Sequence, residues 1–176
     1  MSRIGGAVIF LTIVCIPSFS SPVSMTASLD FSWVVEPDFW AATAANVAGI
    51  GLFMSRVYWP AAVPAFALTT EILGIPALTI GVLDLCEGRA DATTVGAFCY
   101  AGWALGAVLV DHVFRVNYRD PVNLAVLIPY VVAYYVAIGV LSASQLSHGV
   151  IPWVIAGGTC ILAVGASFYA RAKGAD

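Results

Sequence analysis

Glu71 is the only charged residue between Arg56 and Asp84, in a stretch dominated by Ala, Leu, Ile and Val. An acidic side chain at the centre of a hydrocarbon layer costs at least ~2.5–3.5 kcal/mol to insert, and such residues default to function. Low-dielectric surroundings favour the neutral form of a carboxyl. A group so placed takes up a proton when dry and releases it when wetted. That suits proton-linked movement of a solute, a grip on a solute's polar part, or general-acid chemistry. Pro76 lacks an N–H, so the carbonyl of Ile72 loses its helical partner and the chain is expected to kink there, beside the hydroxyls of Thr69 and Thr70. Asn46 falls at a similar depth in another apolar block and is expected to hydrogen-bond Glu71. By itself such an amide reads as interhelical glue.

A second group of reactive side chains lies in the stretch Val110–Pro121, VDHVFRVNYRDP. Asp111 and Arg115 are four apart, share a helix face and are expected to pair. His112 points about 100° away from Asp111. One reading is an interfacial ion pair with cationic anchors, Arg115 and Arg119 holding a lipid phosphate. The other makes Asp111 and His112 a proton-exchange station serving Glu71. Tyr130 and Tyr134 share a face with Leu127, while Tyr135 is expected to turn away. A phenol in hydrocarbon seeks a partner, so that face should look into the bundle, as packing or as the lining of a path to Glu71. His148 is expected in a solvated loop on the other side. Cys86 and Cys99 flank one loop and are expected to be free thiols, since a bridge needs Cα atoms within ~7 Å.

The elements that must position these groups follow from composition. The chain has 176 residues, 61% hydrophobic and 10% charged. A soluble domain carries about 25% charged residues. The apolar residues come in long blocks without a 3.6- or 2-residue period, the mark of membrane-spanning helices. Short alternating segments, which a spanning barrel would need, are missing from the sequence. The expected fold class is therefore an all-α polytopic transmembrane helical bundle, a single domain over residues 1–176. Its spans run from Ile4 to about Ser24, Phe39 to Met54, Tyr58 to Leu83, Thr94 to Phe114, Pro121 to Ser144, and Val150 to Ala170. The second is short for a crossing and is expected to thin the bilayer or borrow from its flanks. Gly102 with Gly106, and Ala45 with Gly49, form small-xxx-small faces suited to close helix packing.

Positive charge sets the direction. With the N-terminus inside, the inner segments hold Arg3, Arg56, Arg115, Arg119, Arg171 and Lys173, and the outer ones Arg89 alone, six against one. Trp33, Trp40, Trp59 and Trp153 fall at expected interfaces. Six spans with both ends inside, in a plasma (inner) membrane, satisfy this bias. The first block also reads as a signal peptide, whose removal leaves five spans. A retained helix is favoured, because no A-x-A-like cleavage site stands out.

The sequence holds no P-loop, GxSxG, HExxH or GxGxxG motif, no CxxC, and no lysine inside a span, so no cofactor and no metal site is expected. A net charge of −3 argues against nucleic acid as a partner. Expected partners are the bilayer, a small-molecule or lipid ligand, and further subunits as a homo- or hetero-oligomer. Three functional readings follow. The first is a small proton-linked transporter or channel-like protein built around Glu71, with Asp111 and His112 at the inner mouth. The second is a membrane-embedded enzyme acting on a lipid or isoprenoid, with Glu71 or Asp111 as general acid. The third is a non-catalytic subunit of a membrane complex, which predicts a filled bundle with no cavity at Glu71.

Overall fold

A computed structural model describes residues 32–116 and 123–174, and every regular element among them is helical. A 3₁₀ turn at Ser32–Val35 leads into α1 (Pro37–Tyr58). There follow α2 (Val63–Ile72), α3 (Gly74–Cys86), α4 (Ala92–Val108), α5 (Leu124–Ala143) and α6 (Val150–Ala172). With the helical turns that extend them, four stretches are long and apolar enough to cross a membrane: Pro60–Cys86, Ala92–Val113, Leu124–His148 and Val150–Ala172. These are the third to sixth blocks expected from sequence. The first, from Ile4 to about Ser24, lies outside the described residues, as do Arg3, Cys15 and Arg119.

The second block is not short. It is the 22-residue α1, about 33 Å long, and it borrows from both flanks. It is not among the four most apolar stretches, because Thr43, Asn46, Ser55 and Arg56 dilute it. Pro37 opens it, where a missing N–H costs nothing, and Asp38 in its first turn complements the helix dipole. At its end Trp59 leaves the helical region, with φ −142° and ψ 68°, before Pro60. Asp91 Oδ1 accepts the N–H groups of Thr93 and Thr94 to start α4, and Asn123 Oδ1 accepts that of Ala125 to start α5.

The bundle is apolar outside and small or polar inside. Ile75, Ile161, Leu162 and Phe168 are exposed, whereas Ala42, Ala45, Ala156 and Ala163 are buried with Asn46, Glu71, Ser142 and Gln145. In water, that outer face would be one large apolar patch. In lipid it costs nothing, and small interior residues let helices approach. The helices thus have the length, composition and surface of an integral membrane protein. α1 and α6 run parallel: Asn46 meets Ala156 and Thr159, and Tyr58 meets Tyr169 further along. α3 and α4 are antiparallel, with Gly74 facing Ala104 and Gly81 facing Phe98. Gly49 packs as its motif suggests, against Tyr134 of α5. Gly102 and Gly106 do not: among the described residues nothing stands within 4 Å of the Cβ either would carry. Cys86 and Cys99 are free.

Candidate functional site

Pro76 breaks the rod between α2 and α3 at Leu73, next to Ile72, the residue whose carbonyl the proline leaves unpaired. Glu71 therefore sits in the last turn of α2, and it is 6% exposed. Thr69 and Thr70 do not turn toward it. Their hydroxyls donate to the carbonyls of Ala65 and Ala67 on their own helix, and the Thr70 carbonyl accepts from Tyr100 Oη at 2.8 Å.

The partner of Glu71 is His112. Nε2 of the imidazole lies 2.7 Å from Oε2 of the carboxyl, whose side chain is 4% exposed against 55% for the histidine. Helix direction explains the meeting. Side chains lean toward the start of their own helix. The α2–α3 rod runs away from the end of the bundle that bears Arg56 and Arg171, and α4 runs toward it, so Glu71 reaches down and His112 reaches up. At that separation a hydrogen bond joins the two, its direction set by the tautomer of the imidazole.

His112 and Asp111 lie on a π turn, Leu109–Val113, that extends α4. Its wide register shows in the bonds from Phe114 N to Leu109 O, 2.7 Å, and from Val116 N to Val110 O, 3.0 Å. Such turns recur at functional sites. Arg115 then adopts φ 47°, the left-handed region a side chain rarely occupies. The expected Asp111–Arg115 pair is consequently not formed, since four-residue spacing shares a face only in a regular α-helix. Asp111 instead accepts a hydrogen bond from Tyr130 Oη at 3.3 Å.

Glu71, Asp111, Tyr130 and Tyr134 line one cavity of ≈ 410 Å³, so four of the residues singled out by sequence converge. Arg56 and Arg171 stand in the same wall, and Leu52, Phe53, Val63 and Leu127 give it an apolar side. A filled bundle is not what is observed. Tyr135 does not turn away: it also lines the cavity, and its hydroxyl meets Ser167 Oγ. Asn46 does not reach Glu71. Its Nδ2 lies 3.0 Å from Ser142 Oγ, 3.0 Å from the Ala156 carbonyl and 3.1 Å from Thr159 Oγ1, because that face of α1 turns to α5 and α6.

His148 is not a solvated loop residue. Its Nε2 lies 2.6 Å from Oδ2 of Asp38, a carboxyl 5% exposed, and Gln145 Nε2 donates to the same oxygen at 3.3 Å. The signal was present as the spacing of Ser142, Gln145 and His148. After α5 the chain tightens into a 3₁₀ turn, Ser144–His148, in which residues three apart eclipse. Each histidine thus holds a buried carboxylate, at opposite ends of the bundle. No cluster of three or more His, Cys, Asp and Glu that could hold a metal occurs among the described residues. No family model, no curated protein and no solved structure matches this chain.

Proposed function

We propose that the protein is a small proton-linked transporter or channel-like protein of six spans, a single transmembrane domain with both ends inside a plasma (inner) membrane. The carrying observation is the Glu71–His112 contact at the wall of a cavity that Asp111, Tyr130 and Tyr134 also line. A carboxyl hydrogen-bonded to an imidazole is placed to exchange a proton with it when solute or water enters. Glu71 is the proton carrier, His112 its exchange partner, and Asp111 with Tyr130 forms the inner mouth. The direction rests on charge: Arg56, Arg115, Arg171 and Lys173 cluster at helix ends on one side, and Arg89, bonded to Asp84 and Glu87, stands at the other. Reconstituted in liposomes under a pH gradient, the wild type moves protons and Glu71→Gln moves them about tenfold more slowly. Equal flux would remove Glu71 from the mechanism.

A second reading is favoured by Arg56 and Arg171. Two guanidinium groups beside the apolar side formed by Leu52, Phe53, Val63 and Leu127, in a cavity that also holds Glu71 and Asp111, fit the headgroup of an amphiphile, as an embedded enzyme acting on a lipid or isoprenoid requires. Mass spectrometry of ligands retained by the purified protein separates the two. A single stoichiometric lipid lost in an Arg56→Ala, Arg171→Ala variant supports the enzyme, and none supports the transporter.

A further inference from the structure

Arg56 and Arg171 stand in the wall of the Glu71 cavity, in the last turns of α1 and α6. Those two helix ends are tied together: Tyr58 Oη and Tyr169 Oη lie 2.7 Å apart, and their rings stack with centroids 6.4 Å apart. Each arginine is two residues from the tyrosine on its own helix, about 200° round the axis. The tyrosines therefore close one side of the joint, and the same joint brings two permanent cations to the cavity on the other. The Arg56 guanidinium packs on the Phe53 ring, 5.6 Å from its centroid. Arg171 makes no ion pair among the described residues. The carboxylates of the cavity meet other side chains, Glu71 meeting His112 and Asp111 meeting Tyr130. A guanidinium keeps its charge at any ordinary pH, and its fork of N–H donors matches a carboxylate.

The apolar wall bears on what such a carboxylate is attached to. Leu52, Phe53, Val63, Leu127 and Phe168 line the cavity, and its ≈ 410 Å³ is well above the ~150 Å³ that takes up one benzene molecule. A bare inorganic anion would leave that surface uncovered, whereas ligand sites pair a few polar groups with an apolar lining.

Glu71 and Asp111 couple the anion to a proton. The titratable and charged groups that face Glu71 are His112 on the π turn, Asp111 beside it, Tyr130, Tyr134 and Tyr135 on α5, Arg56 on α1 and Arg171 on α6. Tyr100 on α4 is engaged with the Thr70 carbonyl, and α3 carries Asp84 and Cys86 at its far end. An anion brought in beside two carboxylates is repelled by each that is ionised, so it binds best together with a proton. By reciprocity the proton is held more firmly once the anion is in place.

We propose that the cavity binds an organic carboxylate with an apolar body, gripped by Arg56 and Arg171 and accompanied by one proton on Glu71. One anion and one proton enter together, so no net charge is added to the cavity. The carboxylate is then the solute of the transport reading, and its movement rests on that reading. Its binding does not.

The test is calorimetric titration of the full chain in lipid nanodiscs with phenylpropionate, repeated in buffers of different ionisation enthalpy, which counts the protons taken up. Phenylpropionate should bind with net proton uptake. Propionate, the same headgroup without the ring, should bind more weakly, and phenylpropylamine, the same ring on a cation, should not bind. Arg171 is exposed at a helix end, so Arg171→Gln should fold and should weaken binding about tenfold or more. Glu71→Gln should bind phenylpropionate at least as tightly and take up no proton. Affinity unchanged in Arg171→Gln, or proton uptake unchanged in Glu71→Gln, overturns the proposal. Oleate carries the same headgroup on a lipid chain: binding of oleate alone assigns the carboxylate to a lipid source, and binding of neither overturns the proposal. Proton flux in liposomes separates the two ideas. Glu71-dependent flux without carboxylate binding sinks the proposal alone, and proton-linked binding with flux indifferent to Glu71 sinks the transport reading alone.

Discussion

His112 Nε2 lies 2.7 Å from Glu71 Oε2, a half-exposed base capping a buried acid across two antiparallel helices. Removing the base leaves a buried acceptor without its partner. That costs about 1–3 kcal/mol, lowered by the exposure of the imidazole. His112→Ala should accordingly lower the melting temperature in detergent more than Glu71→Gln does, since the Gln amide can still meet Nε2. Thermal unfolding of the three proteins checks the order.

Gly49 and Tyr134 give a sharper packing test. A methyl at position 49 would stand 2.0 Å from Tyr134 Oη and 3.4 Å from its Cζ. The ring is wedged between Phe53, Trp103 and Tyr135 and has little room to move. Gly49→Ala should destabilise by ~1–3 kcal/mol, as overpacking does. Adding Tyr134→Phe removes the clashing atom and leaves an ordinary contact, so the double variant should recover most of the loss. Additive losses by thermal unfolding would contradict this.

The break at Leu73 is set by Pro76. Pro76→Ala restores an N–H for the Ile72 carbonyl and lets α2 run into α3. We expect unchanged or raised thermal stability with reduced proton flux, because a straightened rod swings Glu71 relative to His112. Lowered stability with normal flux would show that the break serves packing alone.

Arg115 holds φ 47° directly after the π turn. A residue with a Cβ costs roughly 1–2 kcal/mol in that region, which glycine does not incur. Arg115→Gly should be as stable as wild type or more so, and Arg115→Val less stable than either. Equal stability of the two variants would mean the turn relaxes to another conformation.

The legible part of this molecule was what depends on depth along a helix. The isolation of Glu71, the break beside Pro76, and Asp111 with His112 at one helix end all follow from counting residues between charges and prolines. What depends on rotation about the helix was not legible. Asn46 has the right depth to meet Glu71, yet its face of α1 turns to α5 and α6. The Asp111–Arg115 spacing assumes a regular period that the π turn interrupts. His148 departs from expectation for the opposite reason: a 3₁₀ turn carries helical order into what reads as loop, and brings the imidazole onto Asp38.

The central claim is that Glu71 and His112 act on the proton as one unit. Voltage-driven proton entry into liposomes, measured for wild type, Glu71→Gln, His112→Gln and the double variant, tests it most directly. Groups that work as a unit are non-additive. Each single variant should lose about tenfold, ~1.4 kcal/mol of barrier, and the double variant no more than the worse single. Wild-type flux in either single variant, or losses that multiply in the double, would contradict the account.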